Sequence, residues 1–160
     1  MKGKTTRVIA MMTFAGAVNV SVAQTVLYHA GKTTFDAHCA VCHQTGGIGQ
    51  DGLAPPLTRY PGKYAGVAAG RQQLTATVLH GMFGEIRVND KTYNFRMPSF
   101  ASMSDEELAQ VLNYVVFDLN ARHANAKPFT ASDLKTARGQ ELDGSAVHAR
   151  RALLTKRLGL

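Results

Sequence analysis

Five consecutive residues, Cys39-Ala40-Val41-Cys42-His43, read C-x-x-C-H, and they hold the only two cysteines of the chain. Cysteines three apart on a helical turn present both sulfurs to one side. A histidine directly after the second cysteine adds a ring nitrogen beside them. This is the attachment pattern of a c-type haem, in which two thiols add to the vinyl groups and the histidine becomes an axial ligand of the iron. Three other readings fit less of the motif. A redox dithiol of the thioredoxin kind needs a βαβ context, and none precedes Cys39. A zinc site needs four ligands, and there is no second cysteine pair. A plain disulfide in an oxidising compartment is the remaining alternative.

The N-terminus reads as a secretory leader. Lys2, Lys4 and Arg7 form a positive region, Val8 to Val18 an apolar one, and Ser21-Val22-Ala23 supplies small residues for cleavage after Ala23. The apolar run is too short to span a membrane, and an uncleaved anchor is the alternative reading. No later stretch of the mature chain is apolar enough to be a transmembrane segment. The division expected is residues 1–23 as signal peptide, 24–121 as the haem domain and 122–160 as a C-terminal extension. Removing the leader takes three of the 18 basic residues and none of the 11 acidic ones, which leaves a net charge of +4. Two haem propionates lower it further. A mildly basic chain suits an acidic partner surface. No basic stripe with interleaved aromatics points to nucleic acid.

The haem motif ends a helix expected over residues 31–43, with Gly31 and Phe35 on one face and His38 toward solvent. Residues 44–70 are rich in glycine and hold three of the five prolines, Pro55, Pro56 and Pro61. They read as a long loop wrapped around a prosthetic group. Within it, the carbonyl of Pro55 is placed to accept the second ring N–H of His43 and so set its tautomer. Leu57 is expected to pack on the haem.

A second helix is expected over residues 71–80, with Leu74, Val78, Leu79 and Met82 apolar and Gly81 as the stop. Residues 84–94 suggest a short hairpin turning at Asn89-Asp90. Met97-Pro98 follows, and Met97 is the candidate sixth ligand: a soft, neutral thioether that favours ferrous iron, on a loop stiffened by proline. Met82 and Met103 are the reserves, while His80 reads as a helix-end residue. Ser104 and Glu107 fit a capping box, with Met103 and Leu108 as its hydrophobic staple. Leu108, Val111, Leu112, Val115 and Leu119 then recur at helical spacing, and that helix should cross the first one near Gly31, Phe35 and Tyr114.

Taken together, these residues resemble the class I cytochrome c family over about residues 27–120. The resemblance rests on Gly31 and Phe35 before C-A-V-C-H, on Pro55 to Leu57, on Met97-Pro98, and on a terminal helix with Val111 and Tyr114. A closer similarity is to bacterial monohaem cytochromes with the runs His80-Gly81-Met82-Phe83-Gly84 and Val88-Asn89-Asp90-Lys91-Thr92-Tyr93 before Met-Pro. Two positions depart from that pattern: Asp90 replaces a turn glycine, and Phe95 stands where many relatives have glycine before Met97. The resemblance implies an all-α fold, a helical bundle around one covalent haem c; the short hairpin and a C-terminal helical extension outside the match are read from the residues. It implies Cys39, Cys42, His43, Pro55, Leu57 and Met97 as haem-binding residues, His43 and Met97 holding the iron. The function implied is periplasmic electron transfer, either as a free carrier or as a haem subunit of a dehydrogenase or oxidase chain; no nucleophile–base–orienter constellation in the sequence points to catalysis by the protein itself. Implied partners are a periplasmic dehydrogenase, an oxidase or another cytochrome. A five-coordinate haem protein that binds a gas or reduces a small molecule is the alternative.

The tail carries its own signals. Lys127-Pro128 breaks the chain, Thr130 to Asp133 opens a short helix to about Arg138, and residues 145–158 form a last helix with Val147, Leu154 and Leu158 on one side. Arg150, Arg151, Lys156 and Arg157 surround that stripe. Such a helix either folds back on the domain or docks a partner or an acidic membrane surface.

Overall fold

A computed structural model describes residues 26–121 and 125–160. The leader assigned to residues 1–23 lies outside the described residues. Helix α1, His29–His38, is interrupted at Cys39 and resumes as α2, Ala40–His43. It crosses α5, Asp105–Asn113, which runs on as a π-helical turn, Tyr114–Asp118. Gly31 makes the crossing possible: a Cβ there would lie 2.0 Å from the carbonyl oxygen of Gln110. The rings of Phe35 and Tyr114 then meet at 5.3 Å between centroids. At the start of α5 the expected capping box is present. Ser104 Oγ accepts the N–H of Glu107 at 3.2 Å, and the Glu107 carboxylate accepts the N–H of Ser104 at 2.9 Å.

Helix α5 is buried on two sides. Val111, Tyr114 and Val115 pack with Phe35. Leu108, Ala109, Leu112 and Val116 pack with Val78 and Leu79 of α4, Ala68–His80. Helix α4 begins earlier than the sequence suggests and ends at Gly81, whose φ of 72° takes the chain out of helical space. The stretch expected as one long loop over 44–70 contains a further helix, α3, Tyr60–Ala65, with Pro61 in its first turn. Gly62 and Gly70, which read as loop residues, serve close packing instead. A Cβ at Gly62 would sit 2.9 Å from Asn120 Cβ, and one at Gly70 would sit 2.0 Å from the Tyr64 carbonyl oxygen.

Strands β1, Ile86–Val88, and β2, Lys91–Tyr93, form an antiparallel hairpin pairing Ile86 with Tyr93 and Val88 with Lys91. Its turn residues Asn89 and Asp90 both have positive φ, 51° and 61°. This is the two-residue hairpin turn that asparagine and aspartate tolerate after glycine, so Asp90 satisfies the turn without a glycine. Ile86, Val88 and Tyr93 point inward.

The tail folds back. Helix α6, Ala131–Arg138, starts with a second capping box between Thr130 and Asp133, and α7, Gly144–Leu158, is capped by Asp143. Phe129, Leu134 and Ala137 belong to the same buried cluster as Leu79 and Leu108. Buried Val147 of α7 faces α4, where its carbonyl accepts Gln73 Nε2–H at 3.1 Å. Arg138 binds Asp105 and donates to the Met103 carbonyl at 2.9 Å, tying α6 to the start of α5. The architecture is all-α with one small hairpin. Among the described residues, no helix is long and apolar enough to cross a membrane.

Candidate haem site

A cavity of about 250 Å³ lies between α1–α2, the loop through Leu57, α4, the hairpin, the Met97 segment and α5. Cys39, Cys42 and His43 stand on one wall, with Pro55 and Leu57 beside them. Leu74 and Val78 come from α4, Ile86 and Tyr93 from the hairpin, and Leu112 from α5. The lining is mostly apolar and contains no aspartate or glutamate.

The loop after the motif sets the histidine. His43 is buried, and its Nδ1–H donates to the carbonyl oxygen of Pro55 at 2.9 Å. A carbonyl can only accept, so the proton sits on Nδ1 and the lone pair on Nε2. Burial pushes the imidazole below its ordinary pKa, against the opposing bond to Pro55, so the ring is neutral near pH 7. That is the state a metal-ligating histidine needs. The loop is held by backbone bonds from Gly49 N to His43 O at 2.8 Å and from Leu57 N to Gly47 O at 2.7 Å. Gly49 permits this: its φ is 77°, and a Cβ would lie 2.6 Å from Pro56 N. Burial also pushes the Cys39 thiol up to about 11, helped by the neighbouring Cys42, so it stays protonated.

Met97 also lines the cavity. Its backbone is clasped to Met82 by two hydrogen bonds, Met82 N to Met97 O at 3.1 Å and Met97 N to Met82 O at 2.9 Å. Met82 shares the lining, whereas Met103 packs against the core beside Leu108 and does not reach the cavity. The His80 ring lies 3.4 Å from the Ala137 carbonyl oxygen, at the tail rather than in the cavity. Phe95 lines the cavity beside Met97 and is 61% exposed.

Sequence reasoning did not find the polar part of the lining. Gln73, Thr77, Tyr60, Tyr64 and Arg151 all border the cavity. Gln73 and Thr77 sit among the periodic residues of α4 as unmarked polar positions. Arg151 comes from the tail, and only its place beside the apolar stripe of the last helix hinted at a role.

The residues present suit a haem: paired thiols at one edge, a neutral imidazole, a thioether and apolar walls free of carboxylates. The sequence profile of the cytochrome c family matches residues 28–116. The chain belongs to the cytochrome c family. Cytochrome c-552 from Thermus thermophilus is 39% identical over 126 residues, covering 78% of this chain and 93% of that protein. A second cytochrome c-552, from a named strain of the same species, is also 39% identical over 126 residues, covering 78% of this chain and 82% of its own length. As a cytochrome c, the protein binds one covalent haem c and carries electrons.

Proposed function

We propose that the chain is a periplasmic one-electron carrier whose iron is held by His43 and Met97, with Cys39 and Cys42 in thioether linkage. The observation that carries this reading is the shared cavity. It holds a neutral His43 with its free Nε2, fixed through Pro55, and the Met97 side chain on a hydrogen-bonded segment. Haem c supplies a one-electron couple when bound. Pro55 keeps the imidazole in one tautomer and orientation. Leu57, Val78 and Leu112 exclude water from the cavity. Two protein ligands leave no open coordination position, so the chain is read as a carrier and not as an enzyme. The leader at residues 1–23 directs it across the membrane. Val41, 74% exposed, and Phe95 give an apolar rim suited to brief encounters with a dehydrogenase, an oxidase or another cytochrome.

The test is an absorption spectrum of protein expressed with its leader in a host that matures c-type cytochromes. The expected result is a low-spin c-type spectrum with the weak far-red ferric band of methionine–iron ligation, lost in Met97→Ala. A high-spin spectrum in the wild type would remove Met97 from the iron and favour a five-coordinate haem protein. Cell fractionation gives the compartment, and recovery of the holoprotein in the cytoplasm would overturn the export reading.

A further inference from the structure

We propose that His148, on the tail helix α7, is a positioning residue for the methionine ligand: it holds the Met82–Glu85 segment, and that segment holds Met97. This rests on the reading that Met97 ligates the iron. It gives the tail a part in the haem chemistry, although His148 lies beyond residues 28–116, where the family profile matches.

Helix α7 lies along α4 in the opposite direction. Leu154, toward the end of α7, shares a groove with Ala69 at the start of α4. Midway, Val147 O accepts Gln73 Nε2–H at 3.1 Å. The first turns of α7 therefore meet the chain just after α4 ends. There, Phe83 N–H donates to Gly144 O at 3.2 Å. The Phe83 ring lies so close to Gly144 that a Cβ on the glycine would collide with it. The His148 ring lies on Gly84, where a Cβ would be 2.8 Å from the ring Cγ and a φ of 128° favours glycine. His148 Nε2–H donates to Glu85 O at 2.7 Å. A carbonyl only accepts, so Nε2 carries a proton, as it does in the Nε2–H tautomer and in the imidazolium.

The same segment reaches Met97 by two routes. Met82 exchanges two backbone hydrogen bonds with Met97, at 3.1 and 2.9 Å. Arg96, directly before Met97, stands over the Phe83 ring at 4.7 Å, a cation–π contact. Between Gly81 and Ile86 the chain belongs neither to α4 nor to the hairpin, so these contacts fix it in place of a helix or sheet. An external ligand that takes the methionine position on the iron must displace the sulfur and move its backbone. That movement pulls on the clasp to Met82 and, through it, on the bond between Glu85 and His148. Removing the His148 donor makes the displacement easier.

The experiment titrates the full-length, haem-loaded ferric protein with imidazole and follows loss of the far-red band. A single hydrogen bond to a carbonyl changes an equilibrium by about three- to tenfold, so His148→Ala should bind imidazole tighter by that factor. His148→Gln, whose amide N–H can reach the same carbonyl, should return to near the wild-type affinity. Leu154→Ala removes a buried side chain from the same helix at the far end of α4, and should lower stability while leaving imidazole affinity near that of the wild type. The proposal is overturned if His148→Ala binds imidazole like the wild type, or if Leu154→Ala tightens binding as much as His148→Ala. Hydrogen exchange of the wild type decides even if His148→Ala does not accumulate. Saturation with imidazole should release the amides of Met97 and Phe83 together, and release of Met97 with Phe83 still protected would overturn the proposal. A wild-type ferric spectrum without the far-red band would defeat the Met97 assignment itself, a separate outcome read before any imidazole is added.

Discussion

Asn113 and Phe129 are joined by a reciprocal pair of hydrogen bonds: Phe129 N–H donates to Asn113 Oδ1 at 2.6 Å, and Asn113 Nδ2–H donates to Phe129 O at 3.0 Å. Both residues are buried, so the amide side chain replaces the pairing that a strand or helix would otherwise give this backbone. Asn113→Ala leaves the N–H and the carbonyl of Phe129 without partners. We expect a loss of ~2–4 kcal/mol in equilibrium urea unfolding of the oxidised holoprotein. A loss below ~0.5 kcal/mol would mean that water reaches both groups.

Gly81 lies behind the methionine segment. Its φ of 72° and ψ of −174° belong to a region open essentially to glycine, and a Cβ there would sit 2.6 Å from the Met97 carbonyl oxygen. Gly81→Ala should destabilise the fold by ~1–3 kcal/mol and push the Met97 backbone away from the end of α4. If Met97 ligates iron, the far-red ferric band should weaken or vanish near neutral pH while covalent haem is retained. An unchanged band with lowered stability would show that the segment yields without moving its sulfur.

The capping box of α5 predicts an acid-side response. Glu107 accepts the Ser104 N–H and also its hydroxyl, and these bonds hold the carboxyl below its ordinary value of 4.5. A carboxyl with a lowered folded pKa adds stability above its unfolded pKa and loses it as pH falls through the folded one. Unfolding measured from about pH 7 to about pH 3 should therefore show a shallower acid loss for Glu107→Gln than for the wild type. Parallel curves would mean that the capping bonds do not persist in solution.

Removal of residues 127–160 should not yield a free-standing haem domain. It would strip Phe129 and Leu134 from the core around Leu79 and Leu108, and remove Val147 and Leu154 of α7, which are also buried. Each such side chain is worth ~1.5–3 kcal/mol, so the sum approaches the whole stability of a small domain. Truncated protein should be recovered in low yield or with a markedly lower thermal midpoint. A truncated holoprotein as stable as the full chain would show that the body closes over the exposed face by itself.

Much of the fold was legible because its signals are local. The capping residues Ser104, Glu107, Thr130 and Asp133 mark helix starts within four positions, and Asn89-Asp90 marks its turn in two. The relation of His43 to Pro55 was legible for a different reason: a metal-bound imidazole needs a partner for its other nitrogen, and a carbonyl twelve residues on, in a glycine-rich loop, can supply it. Helix α3 was missed because it is one and a half turns long and its glycines resemble loop punctuation, when Gly62 serves contact with Asn120. Arg151 was missed because nothing in the neighbourhood of residue 151 says which distant wall it meets. Only the packing of α7 on α4, through Gln73 and Val147, turns it toward the cavity.

The clasp between Met82 and Met97 bears on the speed of electron exchange. Two backbone hydrogen bonds fix the approach of the Met97 segment, as the bond to Pro55 fixes the ring of His43. With both proposed ligands held by contacts that do not involve the metal, a change of one charge at the iron calls for little nuclear rearrangement. With His43 and Met97 on the iron, the reorganisation energy would be small, and so would the driving force needed for rapid exchange with a partner.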